Sequence, residues 1–219
     1  MISYGDRHRP RNPLLTLASP AGLVLLALAA RLRQNTLIRN HAPQRRSLAT
    51  PRSIPMSNEA ASLKRVVIYT DGGALGNPGP GGYGCVLRYG DRVKELSAGF
   101  RLTTNNRMEL LGAITALATL TERCHVTLHT DSQYVVNGIE KGWAAKWRSQ
   151  GWMRTRTDRA LNADLWAELL AQCDRHHVSF KWVRGHSGVA DNERCDQLVQ
   201  AAARGRDHGI DEAYEREQR

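Results

Sequence analysis

The chain has only four cysteines, Cys85, Cys124, Cys173 and Cys195, and none of them forms a C-x-x-C pair. That scatter argues against a zinc ribbon or a disulfide framework. Reduced thiols, as in a cytosol-like compartment, are the expectation, with Cys85 as a small core residue in a predicted strand. A clean membrane span is also missing. The apolar stretch from Leu14 to Ala30 is broken by Thr16, Ser19, Pro20 and Gly22, which makes it a poor bilayer segment. Residues 1–57 lack lysine altogether and contain a single acid, Asp6, beside nine arginines. Most of the formal net charge of +10 therefore belongs to this arm; the remainder holds 22 basic and 20 acidic residues. A nearly neutral body gives no bulk-charge argument for a nucleic-acid partner, so a local patch has to carry it.

Three readings compete for the arm. Arg7, Arg9 and Arg11 ahead of an apolar core ending in Ala27-Leu28-Ala29 imitate a secretory signal, and arginine without acids imitates an organelle transit peptide. The favoured reading is a natural start at Met56, because Met56-Ser57-Asn58-Glu59 leads within a few residues into the first strand. Residues 1–62 are accordingly expected to be an extension outside the fold. A start at Met56 implies a cytoplasmic protein; a transit peptide over 1–55 would imply a mitochondrial one.

What remains reads as alternating strands and helices. Lys64–Thr70 is a run of β-branched and aromatic residues and predicts a buried strand. Gly76-Asn77-Pro78-Gly79-Pro80-Gly81-Gly82 predicts a turn that no regular element crosses. Tyr83–Tyr89 and Val93–Phe100 predict two strands joined at Gly90-Asp91. Thr103 to Asn106 offer N-caps for a helix to about Leu120 with an apolar face of Leu110, Ala113, Ile114 and Leu117. Val126–Thr130 predicts a strand parallel to the first, reached by a helical crossover. Short helices over Gln133–Ile139 and Trp143–Arg148, a helix over Asn162–Asp174, a strand over Val178–Val183 and a helix over Asp191–Arg204 complete the order. The expected fold class is α/β: a five-stranded mixed sheet, three antiparallel strands then two parallel, flanked by helices. Residues 205–219 read as a charged, flexible tail.

Four carboxylates stand out against this pattern. Asp71 and Asp131 each end an apolar strand, and acids at the ends of parallel strands converge on one sheet edge. Glu109 and Asp196 lie in amphipathic helical segments. Clustered carboxylates repel one another unless a cation holds them, and hard oxygen ligands suit Mg²⁺ or Mn²⁺. Metal-dependent phosphate chemistry follows as the expectation.

The segments around these acids resemble bacterial-type ribonuclease HI. The resemblance rests on Asp71-Gly72-Gly73, Gly76 to Gly82, Thr103 to Leu110 (TTNNRMEL), Thr130 to Val135 (TDSQYV), Trp182-Val183-Arg184-Gly185-His186 and Asn192-Glu193-Arg194-Cys195-Asp196. It covers about Lys64 to Ala203, so a ribonuclease H-like domain is expected over 63–204. It implies a hydrolase that cuts the RNA strand of an RNA/DNA hybrid, leaving 3′-hydroxyl and 5′-phosphate ends. It implies metal ligands at Asp71, Glu109, Asp131 and Asp196, with two Mg²⁺ ions per site, or Mn²⁺ in their place, and Asp71 bridging them. His186 matches a histidine that assists proton transfer or product departure.

The resemblance also implies how a hybrid is held. Asn77, Asn105, Asn106 and Gln133 match positions that touch the hybrid, and amides suit a 2′-hydroxyl because they both donate and accept. Thr104 matches a phosphate contact on the DNA strand. Six basic residues and one acid lie from Lys141 to Arg159, interleaved with Trp143, Trp147 and Trp152. This insertion resembles the family's basic protrusion, with Lys146 and Arg148 as its cations. Trp147 to Trp152 holds one cation where several lysines are common, which predicts weaker, salt-sensitive binding. A monomer working on a hybrid duplex, without a membrane, is the expected state. Two alternatives are a catalytically inactive hybrid-binding module and a DNA-cutting nuclease on the same scaffold.

Overall fold

A computed structural model describes residues 63–219. The expected N-terminal extension, residues 1–62, and the choice between Met56 and a targeting peptide lie outside the described residues. The elements run β1 (Lys64–Ala74), β2 (Gly79–Tyr89), β3 (Arg92–Thr103), α1 (Asn105–Ala118), β4 (Cys124–Thr130), α2 (Gln133–Glu140), α3 (Trp143–Ser149), α4 (Ala163–Arg175), β5 (His177–Trp182), α5 (Ala190–Arg204), β6 (His208–Gly209) and α6 (Glu212–Glu217). The sheet order is β5-β4-β1-β2-β3-β6. β1, β2 and β3 form the expected antiparallel meander, and β4 and β5 add in parallel beside β1.

Side chains alternate across the sheet. Val66, Ile68 and Thr70 of β1 and Val126, Leu128 and Thr130 of β4 are all buried on one face. Helix α1 covers that face, and its Met108, Leu110, Ile114 and Leu117 are at most 1% exposed. Helix α5 packs on the other face of the meander. Glycine makes both approaches close enough: a Cβ on Gly72 would sit 2.2 Å from the Glu109 backbone nitrogen, and one on Gly84 2.4 Å from the Cys195 carbonyl oxygen. The sheet thus draws Asp71 towards Glu109 on one helix and Asp196 on the other.

Three expectations need correcting. The sheet has six strands rather than five, because His208–Gly209 pairs in parallel with Gly99 and Phe100; two residues are too few to carry a periodic signal. The glycine run is not all turn. Gly79 to Gly82 already belong to β2, with Gly81 opposite Ala74 and Gly82 opposite Gly73, since the absent side chains leave room for neighbouring backbone. The segment 205–219 is not a flexible tail, for it carries β6 and α6. Its anchor is Asp211, buried against Arg107 at the start of α1. Arg107 donates from Nε and Nη2 to Asp211 at 2.6 and 2.8 Å and from Nη2 and Nη1 to Asp164 at 2.8 and 3.1 Å. Thr103 adds a hydroxyl to Asp211 at 2.8 Å.

Candidate active site

Strand ends and helix faces deliver the acids to one place. Asp71 lies near the end of β1 and Asp131 directly follows β4, its neighbour in the sheet. Glu109 comes from the first turns of α1. One carboxylate oxygen from each of these three lies within 4.8 Å of the others. Asp196, on α5, stands outside that triad but lines the same cleft of about 290 Å³, as do Asn105, His186 and Asn192.

Among the described residues the cleft lining contains no lysine or arginine, and the electrostatics record the imbalance. Burial, joined by the charges of Asp131 and Asp196, pushes the Asp71 carboxyl up to about 7, although Gly72 N–H donates to it at 2.8 Å. Burial and the charges of Asp71 and Asp131 raise Glu109 well above the ordinary carboxylate range. The Thr130 hydroxyl, 3.5 Å from Glu109 Oε2, offsets this only in part. A site that presses protons onto its acids at neutral pH lacks a positive partner, and a divalent cation is what such oxygens accept. The donor set therefore fits Mg²⁺ or Mn²⁺ on chemical grounds.

This has a consequence for binding. A cation entering the cleft must displace protons, so apparent Mg²⁺ affinity should fall as pH drops below about 7, by roughly tenfold per unit for one displaced proton. Calorimetric titration at pH 6 and pH 8, in buffers of different ionisation heat, would detect the released proton. An affinity constant across that range would contradict the assignment.

Several neighbours hold the acids in place and were not singled out from the sequence. Asn192 is buried, and its Nδ2 donates to Asp131 Oδ2 at 3.4 Å. Trp182 Nε1 donates to the Asp131 carbonyl at 3.1 Å. Both lie inside the quoted motifs, where they read as framing. Gly185 is the third: a Cβ there would come 2.7 Å from Asp131 Oδ2. The nearest atom is the tip of a side chain, so Gly185→Ala should leave stability almost unchanged yet displace an oxygen of the acid triad. We expect kcat to fall roughly 10–100-fold, the range for groups that orient the carboxylates of a site, with a melting temperature close to wild type. Unchanged kcat would show that Asp131 tolerates the shift.

His186 follows β5 in an exposed loop and holds a left-handed backbone conformation, φ 51°, which is costly for a residue with a side chain. Glu193 Oε1 accepts from Gly188 N–H at 3.0 Å and ties this loop to α5.

Of the amides, Asn105 lines the cleft and Asn77 is hydrogen-bonded to Asn105. Asn77 Oδ1 accepts from Asn105 N–H at 3.0 Å, and Asn105 Oδ1 accepts from Ala74 N–H at 2.7 Å. Their oxygens thus join the β1–β2 loop to α1, and their NH₂ groups have no partner among the described residues. Thr104 is the N-cap of α1, but its side chain makes no capping bond; Asn77 does that work from another segment. Asn106 and Gln133 are exposed.

The tryptophans stand farther off, on and after α3. Trp147 meets the fully buried Trp166 edge-on at 6.1 Å and Trp143 at 6.5 Å, so the insertion is anchored by ring packing. Trp152 is half-buried after α3 with φ 66°. Lys146 is exposed and has no ion-pair partner among the described residues, whereas Arg148 faces Asp174 at 3.2 Å. A second groove of about 270 Å³, lined by Lys64, Tyr89, Val93 and Lys94 among others, lies at the opposite ends of β1 and β4, away from this chemistry.

Comparison with known proteins points the same way. Residues 63–204 match the family model for RNase H. The chain is 62% identical over 148 residues to the ribonuclease H of Desulforamulus reducens, covering 68% of this chain and 93% of that protein. It is 50% identical over 156 residues to the ribonuclease HI of Synechocystis, covering 71% and 98%. Among solved structures, LC9-RNase H1, described as a type 1 RNase H with the type 2 active-site motif, superposes with a TM-score of 0.60 at 33% identity, covering 70% of this chain and 80% of that one.

Proposed function

The chain belongs to the RNase H family and is a ribonuclease H, and on that premise we propose that it hydrolyses the RNA strand of RNA/DNA hybrids with divalent cations, leaving 3′-hydroxyl and 5′-phosphate ends. The observation that carries this reading is the cleft in which Asp71, Glu109 and Asp131 crowd within 4.8 Å with no lysine or arginine among the described lining residues. Bound there, Mg²⁺ would supply Lewis-acid polarisation of the phosphate and a nucleophilic water at neutral pH. Asp71, central to the charge pattern, would bridge; Glu109 and Asp131 would serve one position and Asp196 the other.

The protein's own groups orient the reaction. Gly72 N–H, Asn192 and Trp182 fix Asp71 and Asp131, so little reorganisation is needed when charge develops. His186, on its strained loop at the cleft, takes part in proton transfer or product departure. The free NH₂ groups of Asn77 and Asn105, with Asn106 and Gln133, face the minor-groove side as donors to 2′-hydroxyls and base edges. The side chain of Thr104 meets a DNA phosphate, and the α3 insertion holds the DNA strand farther along. A binding module without catalysis would have no use for four uncompensated carboxylates.

Because Asp174 competes for Arg148, the insertion supplies a weak grip. Lys146→Ala with Arg148→Ala should raise KM several-fold, more than it lowers kcat, and reduce the salt dependence of binding. A collapse of kcat at unchanged KM would remove the insertion from substrate binding. The proposal itself is tested by incubating labelled RNA/DNA hybrid, double-stranded RNA and double-stranded DNA with Mg²⁺ or with EDTA. RNA loss from the hybrid alone, and only with Mg²⁺, is expected; cutting of DNA duplex instead would refute it.

A further inference from the structure

Helix α5 covers the meander, but among the described residues the outer face of β4 and β5 stays open, with His177, Ser179 and Lys181 exposed and His125, Thr127 and His129 half-buried. Strand register arranges this face in rows. Arg65, His125 and His177 lie side by side; two residues on come Val67, Thr127 and Ser179, then Tyr69, His129 and Lys181. No position in the three rows is a carboxylate. Rings occupy the outer rows as stacked pairs: His125 on His177 with centroids 4.9 Å apart, and Tyr69 on His129 at 4.6 Å. Each pair has a cation in its row, Arg65 or Lys181.

We infer that this face binds single-stranded nucleic acid, a function separate from cleavage. Flat rings accept bases without regard to sequence while cations take the phosphates. The two ring pairs are four residues apart along the strands, about 13 Å, a spacing that an extended strand of a few nucleotides can bridge. Two residues beyond His129, just past the end of β4, comes Asp131, so the surface runs up to the catalytic cleft. A hybrid with an unpaired tail would thereby gain a second point of attachment.

Fluorescence anisotropy of the full chain with labelled dT₁₂ and rU₁₂, in EDTA to prevent cleavage, tests the idea. Both should bind, because rings and cations do not read the 2′-hydroxyl; binding of neither overturns the proposal. Arg65→Glu with Lys181→Glu should weaken binding at least about tenfold, and Ser179→Asp, an exposed change that cannot disturb the core, should weaken it as well. Both variants should cleave a blunt hybrid like wild type, which separates this surface from the catalytic reading. Unaltered affinity in both would overturn the inference. So would 4-thiouridine crosslinks confined to α3 or the cleft instead of β4 and β5, or polyglutamate competing as well as an oligonucleotide.

Discussion

Asp71→Asn should abolish Mg²⁺-dependent cleavage while making the metal-free protein more stable at pH 8. The loss follows from removing the central ligand oxygen, since several kcal/mol of metal-derived stabilisation is a rate loss on the order of 10³-fold or more. The gain follows from linkage. Burial and neighbouring charge raise the folded-state pKa of Asp71 from 3.8 to about 7, so between those values the folded protein binds more protons than the unfolded chain. Stability contributed at this position therefore falls as pH rises through that window, and the penalty is complete above pH 7. Asparagine cannot ionise and avoids it. The expected gain is on the order of 2–4 kcal/mol at pH 8, and it should vanish near pH 4. Saturating Mg²⁺ should raise the melting temperature of the wild type but hardly that of the variant. Chemical denaturation of both proteins at pH 4 and pH 8, with and without Mg²⁺, checks each part; a destabilised variant at pH 8 would contradict the account of the site.

The second large effect lies far from the chemistry. Asp211→Ala should destabilise the protein by about 3 kcal/mol, because Arg107, only 3% exposed, would keep its buried charge with Asp164 as its remaining carboxylate partner. Burial works against the Arg107 charge, but the hydrogen bonds to Asp164 and Asp211 outweigh it and hold its pKa above the ordinary value. For a domain of this size the melting temperature should drop by roughly 6–12 °C. Asp211→Asn, which keeps the shape and one acceptor, should cost less. The variant should also lose hydrogen-exchange protection across 208–217, since Asp211 caps α6 through Tyr214 N–H at 3.4 Å. An unshifted melting temperature would mean that α6 and β6 contribute nothing to the folded domain.

The contrast between these two residues explains how far the sequence could be read. Asp71 closes the apolar run of β1, which continues in glycines to Ala74, and Asp131 directly follows β4, so their convergence on one sheet edge follows from local pattern plus parallel pairing. Cys85, expected in the core, is indeed fully buried. Glu109 and Asp196 needed the surrounding motifs, because an acid on a helix face is ordinarily a surface charge. Arg107 and Asp211 each look like solvated residues; they are buried only because segments 104 positions apart meet. Gly185 and Trp182 escaped for the same reason, as their importance lies in contacts with Asp131 across the sheet. Glycines at 79 to 82 read as turn because local propensity cannot register the close packing that makes them strand.

Hydrolysis supported by cations held among Asp71, Glu109, Asp131 and Asp196 is tested most directly by the chemistry of the product ends. A hybrid carrying labelled RNA, cut under single-turnover conditions with Mg²⁺, should yield fragments with 3′-hydroxyl and 5′-phosphate termini and no product in EDTA. Fragments ending in 2′,3′-cyclic phosphate, or cleavage that persists in EDTA, would mean that the RNA's own 2′-hydroxyl is the nucleophile and that the four carboxylates are not a metal site.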